Sequence, residues 1–239
     1  MSVKDQPLPY PRIITIDGPA GTGKSSVALA VAEQLGFDFL DTGAMYRAIG
    51  LEAVRRQADF NDMRGLAYIA KLAKITFDWT RNPPLTLLNG ESVGHLLRGS
   101  GCTKAASYVA AVPAIRELMV QQQREIGQER GRVVTEGRDQ GTIVFPNAQL
   151  KIYLDADPQE RARRRAAQLR SRGEIVDVNE ILDSILVRDR RDATRSVGPL
   201  AVAADAKRID TTMISERQVV EQIVNMAQAL LPAEHPTAR

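Results

Sequence analysis

The densest chemistry in this 239-residue sequence lies in the run Gly18-Pro19-Ala20-Gly21-Thr22-Gly23-Lys24-Ser25-Ser26. Its first eight residues match the phosphate-loop pattern G-x-x-x-x-G-K-[ST] at every fixed position. Glycines let successive backbone N–H groups turn into one concavity, and a helix that begins there adds its positive end. Lys24 then supplies a point charge for the β and γ phosphates, and the Ser25 hydroxyl suits Mg2+. We therefore expect residues 18–26 to bind ATP, with Lys24 also acting in catalysis. A glycine-rich turn could match by chance, but the flanks argue otherwise. Ile13, Ile14 and Ile16 precede it in a short, nearly continuous apolar run typical of a strand covered on both faces. After it, Val27, Ala28, Val31, Ala32 and Leu35 recur at helical spacing over Lys24–Leu35, and Gly36 is a stop.

No N-K-x-D segment that would read guanine occurs, and the chain lacks the length and the acid-ended apolar run of a motor or helicase. A compact kinase for a small acceptor remains. Three further groups could serve that acceptor. Asp41-Thr42-Gly43-Ala44-Met45-Tyr46-Arg47 follows a short apolar segment; the bland alternative is a Thr cap beside a solvated Arg. Thr135-Glu136-Gly137-Arg138-Asp139-Gln140-Gly141-Thr142 follows another, at what should be the ligand-facing carboxyl end of a parallel strand. Finally, Arg161, Arg163, Arg164, Arg165, Arg170 and Arg172 fall within twelve residues that lack any acid, ahead of Arg188, Asp189, Arg190, Arg191, Asp192 and Arg195. Such runs are often solvated faces, yet Arg188, Asp192 and Arg195 sit at i, i+4 and i+7 and share one helix face.

The elements that must position these groups alternate. Strands are expected over Arg12–Asp17, Phe37–Leu40, Val133–Thr135, Leu150–Leu154 and Lys207–Ile209. Helices are expected over Lys24–Leu35 and Gly43–Arg56, from Pro113 onward, from Asp157-Pro158 to Gly173, and over Val178–Thr194. A last helix is opened by the capping box Ser215/Gln218 and ended by Pro232. This predicts an α/β fold: a three-layer sandwich with a five-stranded parallel core sheet. One stretch, about 58–101, breaks the alternation. There Ile75, Phe77 and Trp79 alternate, as do Leu85 and Leu87, and Asn89-Gly90 signals a tight hairpin, so a small antiparallel insertion is expected.

Composition agrees with a small-molecule enzyme. Of 32 basic residues, 25 are Arg and 7 are Lys, against 29 acids, for a net charge of +3; Arg is the side chain whose planar fork matches phosphate and carboxylate. Single Cys102, expected to be a packed residue, and only His95 and His235 argue against a disulfide scaffold or a zinc cluster. No apolar run approaches the roughly 20 residues of a membrane span, and no hydrophobic signal core opens the sequence. We expect a cytoplasmic protein with loose termini at 1–11 and 232–239.

Five segments, Ile14–Lys24, Leu40–Arg47, Ala106–Arg116, Glu136–Thr142 and Arg188–Arg195, together resemble the bacterial cytidylate kinases, in order and over nearly the whole folded body. The resemblance implies ATP-dependent phosphorylation of CMP and dCMP, with Mg2+, by a monomer whose partners are small nucleotides, not nucleic acid or membrane. It implies a core domain of 12–42, 104–155 and 196–231, a monophosphate-binding domain of 43–103, and a short helical lid with the following arginine-rich helix at 156–195. By the same likeness Ser107, Arg116 and Asp139 read the cytosine edge, Arg47, Arg138 and Arg195 clamp the acceptor phosphate, and Arg188 and Asp192 hold the sugar. Thr42 and Tyr46 line that pocket. Arg138 and Arg195, with Arg161 and Arg165 of the lid, complete the catalytic set, and Glu136 reaches Mg2+ through water. Glu136 stands where many relatives have Asp, and Thr42 where Ser is commoner. Two other readings stay open on the residues alone: a different small P-loop kinase, and a non-catalytic nucleotide- or RNA-binding module. Few aromatics accompany the arginines, which disfavours base stacking on RNA.

Overall fold

The structure is a computed structural model that describes residues 11–98 and 100–231. The two loose termini expected from the sequence lie, apart from Pro11, outside the described residues, as does Gly99. Five parallel strands form the central sheet: β1 (Arg12–Asp17), β2 (Asp38–Asp41), β6 (Arg132–Gly137), β7 (Leu150–Asp155) and β8 (Lys207–Asp210), in the order β2-β6-β1-β7-β8. The chain leaves β1 through α1 (Lys24–Leu35) and skips a place to β2, so that β6, arriving about a hundred residues later, fits between them. A crevice belongs at the carboxyl end of such a sheet. Four of the five strands end there on an aspartate, and β6 carries Glu136 one place before its end.

Each face of the sheet is apolar because each is covered. On one side Ile14, Ile16, Val134, Ile152 and Leu154 pack against α1 and α8 (Glu216–Leu230). On the other, Ile13, Leu40 and Val133 meet α2 (Thr42–Arg55) and α5 (Pro113–Arg130) through Met45, Ile49, Ile115 and Met119. Burying each such side chain contributes about 1.5–3 kcal/mol. The second core continues without a break into the insertion, taking in Leu66 and Ala70 of α3 (Met63–Leu72), Ile75 of β3 (Ile75–Asp78) and Leu88 of β4 (Leu85–Leu88). Helices α6 (Pro158–Arg170) and α7 (Val178–Thr194) pack on each other, and α4 (Ser100–Val109) packs on α2.

The insertion holds the expected antiparallel sheet, β3-β4-β5, with β5 at Glu91–Ser92. Asn89 (φ 52°) and Gly90 (φ 86°) form the turn, both in the left-handed region that a two-residue hairpin loop demands. The phase of the strand differs from the expectation. Thr86 and Leu88 are buried and stand opposite Phe77 and Ile75, whereas Leu85 is exposed and Leu87 half-buried. Trp79 lies beyond β3 and stacks on Arg130, whose guanidinium is 4.9 Å from the ring and 2.7 Å from Asp38 of β2. Asn82 extends the same turn to Glu33 of α1 at 2.8 Å, so the 79–84 segment lies along the β2 side of the core.

Candidate active site

The phosphate loop leaves β1 past β7, so close that a Cβ on Gly18 would stand 2.1 Å from the Leu154 carbonyl oxygen. Gly21 and Gly23 take φ of 84° and 88°, and α1 begins at Lys24 as expected. Inside the loop the Lys24 ammonium donates to the Pro19 carbonyl at 2.6 Å, and the Thr22 hydroxyl to the same oxygen at 3.2 Å. Burial, reinforced by Arg138 and Arg188 and opposed by Glu136, lowers the Lys24 pKa to about 7. The Ser25 hydroxyl donates to Glu136 at 2.9 Å, joining the loop to β6. Ser26 instead lies 2.6 Å from Glu216 of α8.

At the end of β2 the cap of α2 is the Asp41 carboxylate, which accepts from the Ala44 N–H at 2.8 Å, so Thr42 is not the cap. Thr42, buried, donates to the Glu136 carbonyl at 2.6 Å and ties α2 to β6. Arg47 turns back to Asp41 at 2.8 Å. Asp41 and Glu136 are register partners on neighbouring strands. Burial, and then the Asp41 charge, push the Glu136 carboxyl above the ordinary range.

Beyond β6, Asp139 is buried and ion-paired with Arg116 of α5, itself 2% exposed. Arg116 also lies 5.6 Å over the Tyr46 ring; burial pushes that phenol up to about 12. Ser107 of α4 does not join the Arg116–Asp139 pair. Its hydroxyl accepts from Arg191 of α7 at 3.0 Å, and Arg191 covers the Tyr108 ring at 5.3 Å.

Asp192 is the hub of the arginines. It accepts from Arg138 at 2.9 Å, with Arg188 and Arg195 at 4.0 and 3.9 Å. Arg195 is the residue after α7 and not part of its helix, yet it stays within reach of both Asp192 and Asp139 and donates to the Gly198 carbonyl. Burial favours a neutral Asp192, but Arg138, Arg188 and Arg195 outweigh it and hold its carboxyl below the usual range. Burial and the Arg138 charge bring Arg188 down to about 10. Among the described residues, the Nε donors of Arg47, Arg116 and Arg188 are buried without a hydrogen-bond partner.

The two arginines expected in a lid divide. Arg165 is half-buried on α6, whereas Arg161 is buried against the phosphate loop, where it donates to the Ala20 carbonyl at 2.9 Å and to Asp189 of α7 at 2.5 Å. Two buried side chains that sequence reasoning did not single out hold the 138–141 turn. Asp17 of β1 accepts the Gln140 and Gly141 N–H groups at 2.9 and 2.8 Å, and Gln140 accepts from Thr135 and donates to Gln123. An acid closing a buried strand beside the glycine loop was the available signal for Asp17.

Among the described residues no three His, Cys, Asp or Glu converge to cage a metal. One hydroxyl, Ser25, and one neighbouring carboxylate, Glu136, fit Mg2+, which keeps several waters and takes further oxygens from substrate phosphates.

Residues 14–229 match the cytidylate kinase family. The cytidylate kinase of Pelotomaculum thermopropionicum is 46% identical over 90% of this chain and 96% of its own. That of Solibacter usitatus is 42% identical over 91% and 92%. An uncharacterized protein from Eubacterium ventriosum has a similar fold, with a TM-score of 0.51 at 14% identity, covering 92% of this chain and 99% of its own.

Proposed function

The chain belongs to the cytidylate kinase family, and on that premise we propose that it transfers the γ-phosphoryl group of ATP to CMP or dCMP, giving ADP and CDP or dCDP. The observation that carries the proposal is the buried Arg116–Asp139 pair at the carboxyl end of β6, one residue from Arg138 and the Asp192 hub. Cytosine offers an N4 amino donor to a carboxylate and O2 and N3 acceptors to guanidinium and hydroxyl donors. Uracil, with O4 and N3–H, would leave such groups unpaired. We assign the base edge to Arg116, Asp139 and Ser107, the sugar to Arg188 and Asp192, and the acceptor phosphate to Arg47, Arg138 and Arg195, beside Thr42 and Tyr46. The free Nε donors of Arg47, Arg116 and Arg188 support an anionic, polar occupant.

ATP belongs on the loop of residues 18–26. Mg2+ would be held by Ser25 and, through water, Glu136; when bound it supplies neutralising charge between the phosphates. The acceptor phosphate, with a second pKa of about 6, is already mainly anionic at neutral pH, so no general base is needed. The chain's own work is placement and charge. Lys24, Arg138 and Arg195 stabilise the charge spread over the transferring group, and arginines are preset by their acids. We assign Arg161 and Arg165 to the lid, 156–195, whose approach to the loop excludes water and with it ATP hydrolysis. Residues 43–103 form the monophosphate-binding unit and the remaining folded segments the core. No helix among the described residues is long and apolar enough to cross a membrane. We take the working form to be a cytoplasmic monomer acting on small nucleotides and not on nucleic acid.

Presenting CMP, dCMP, UMP, AMP, GMP and shikimate with Mg-ATP tests the assignment. The highest kcat/KM is expected for CMP and dCMP; faster turnover of AMP or GMP than of CMP overturns it.

A further inference from the structure

Both peptide groups of Ala20 are met by one ion pair. Arg161 of α6 donates from one nitrogen to the Ala20 carbonyl at 2.9 Å and to Asp189 at 2.5 Å, while the Ala20 N–H donates to the other Asp189 oxygen at 3.3 Å. The pair is anchored and shielded. Arg161 also donates through Nε to the Ala156 carbonyl at 3.0 Å, and the side chains of Arg161 and Asp189 are 5% and 18% exposed. The next loop residue, Gly21, leaves space for a Cβ only 3.2 Å from the Arg161 Cβ, so the loop lies directly on this side chain. On α7, Asp189 follows Arg188 and precedes Asp192 by less than one turn. The helix therefore presents one set of side chains to the arginine hub and the adjoining one to the phosphate loop.

We propose that Asp189 is a positioning residue: with Arg161 it sets the peptide planes on either side of Ala20 and thereby couples the phosphate loop to the helix that holds the acceptor nucleotide. The inference rests on the reading of the site as a two-nucleotide kinase. A residue held through the N–H of one peptide plane and the C=O of the next cannot turn either plane without breaking charge-assisted contacts, which are strong and directional. Any small shift of α7 as an acceptor engages Arg188 and Asp192 is then transmitted to the loop. Coupling between two sites needs contacts that differ between the free and occupied states, and it must be reciprocal. Nothing in the chemistry requires Asp189 to touch either nucleotide.

The test is the ratio of CMP dissociation constants without and with an unreactive ATP analogue and Mg2+, measured by titration calorimetry on the full chain and on Asp189→Asn and Asp189→Glu. In the parent the analogue is expected to tighten CMP binding severalfold. Asp189→Asn keeps the shape but not the charge and should bring the ratio to near one, with each nucleotide alone bound within about threefold of the parent. Asp189→Glu should restore part of the ratio, which a role confined to folding would not do; melting temperatures without ligand are recorded for both variants. A parent ratio of one, an unchanged ratio in Asp189→Asn, or equal loss in the two variants overturns the proposal. Parent turnover of CMP is assayed alongside. Its absence defeats the functional reading, whereas turnover with unchanged coupling in Asp189→Asn defeats this inference alone.

Discussion

Arg195 belongs to no helix, yet three contacts hold it: the carboxylates of Asp139 and Asp192 and the carbonyl of Gly198. Its position between the Arg116–Asp139 pair and the Asp192 hub makes it the residue most exposed to a simple test. Arg195→Ala should lower kcat by about 10²-fold or more, as the loss of one charged transition-state contact does, and leave ATP affinity within about twofold. Unchanged turnover would return it to an ordinary surface arginine. Asp139→Asn replaces an acceptor by a group that can also donate, and should cut the kcat/KM preference for CMP over UMP by about tenfold or more. An unaltered preference places the reading of the base elsewhere. The grouping of Lys24 and Ser25 in one loop, and of Arg188 and Asp192 on one helix face, was legible in the sequence from residue type and local spacing. Asp17 carried no expected role and Asp189 only its place in the charged run, because each meets a backbone group 123 or 169 residues away and Asp189 also meets the Arg161 guanidinium, and no local pattern encodes an approach of that kind.

At the level of elements, legibility followed punctuation. Helix α1 ends on the expected stop Gly36, α6 opens on the expected Asp157 cap, and the capping box Ser215/Gln218 is formed as its letters require. Ser215→Ala should therefore cost about 1 kcal/mol, read as a lowered urea midpoint with an unchanged slope; no shift would mean that α8 is held by its packing on α1 alone. Helices α3 and α4 were missed. Both lie in or beside the insertion, where the reading followed strand alternation and the Asn-Gly turn; Asp62 nonetheless caps α3, accepting from Arg64 and Gly65. In β4 four residues, three of them Leu, leave the face ambiguous by pattern. Pairing with β3 across the 79–84 connection decides it, setting Thr86 opposite Phe77 and Leu88 opposite Ile75.

Across the whole molecule two buried ionisable groups oppose each other in their dependence on pH. Burial holds the Asp17 pKa at about 6, above the ordinary 3.8, so the folded state binds more protons than the unfolded between those values and stability falls as pH rises through them. Lys24 at about 7 lies below the ordinary 10.5, so the unfolded state binds more protons over that window and stability rises with pH. Their joint contribution is least favourable near pH 6–7. Urea unfolding of the nucleotide-free protein from pH 7 to 10 should show a rising limb, at most about 1.4 kcal/mol per pH unit for one proton, that Lys24→Met flattens. Parallel curves for parent and variant would remove Lys24 as its source. The turn that carries Trp79 and Asn82 has a consequence of another sort. A sheet's outermost strands present unpaired backbone groups that can recruit a strand from a second chain. Here β2 is only four residues long, ends in aspartate at both sides and is flanked by the Trp79–Arg130–Asp38 strut, while β8 at the opposite border exposes Lys207, Arg208 and Asp210. Both borders are thus poor templates for aggregation, one through cover and the other through charge, and the antiparallel insertion also guards the sheet.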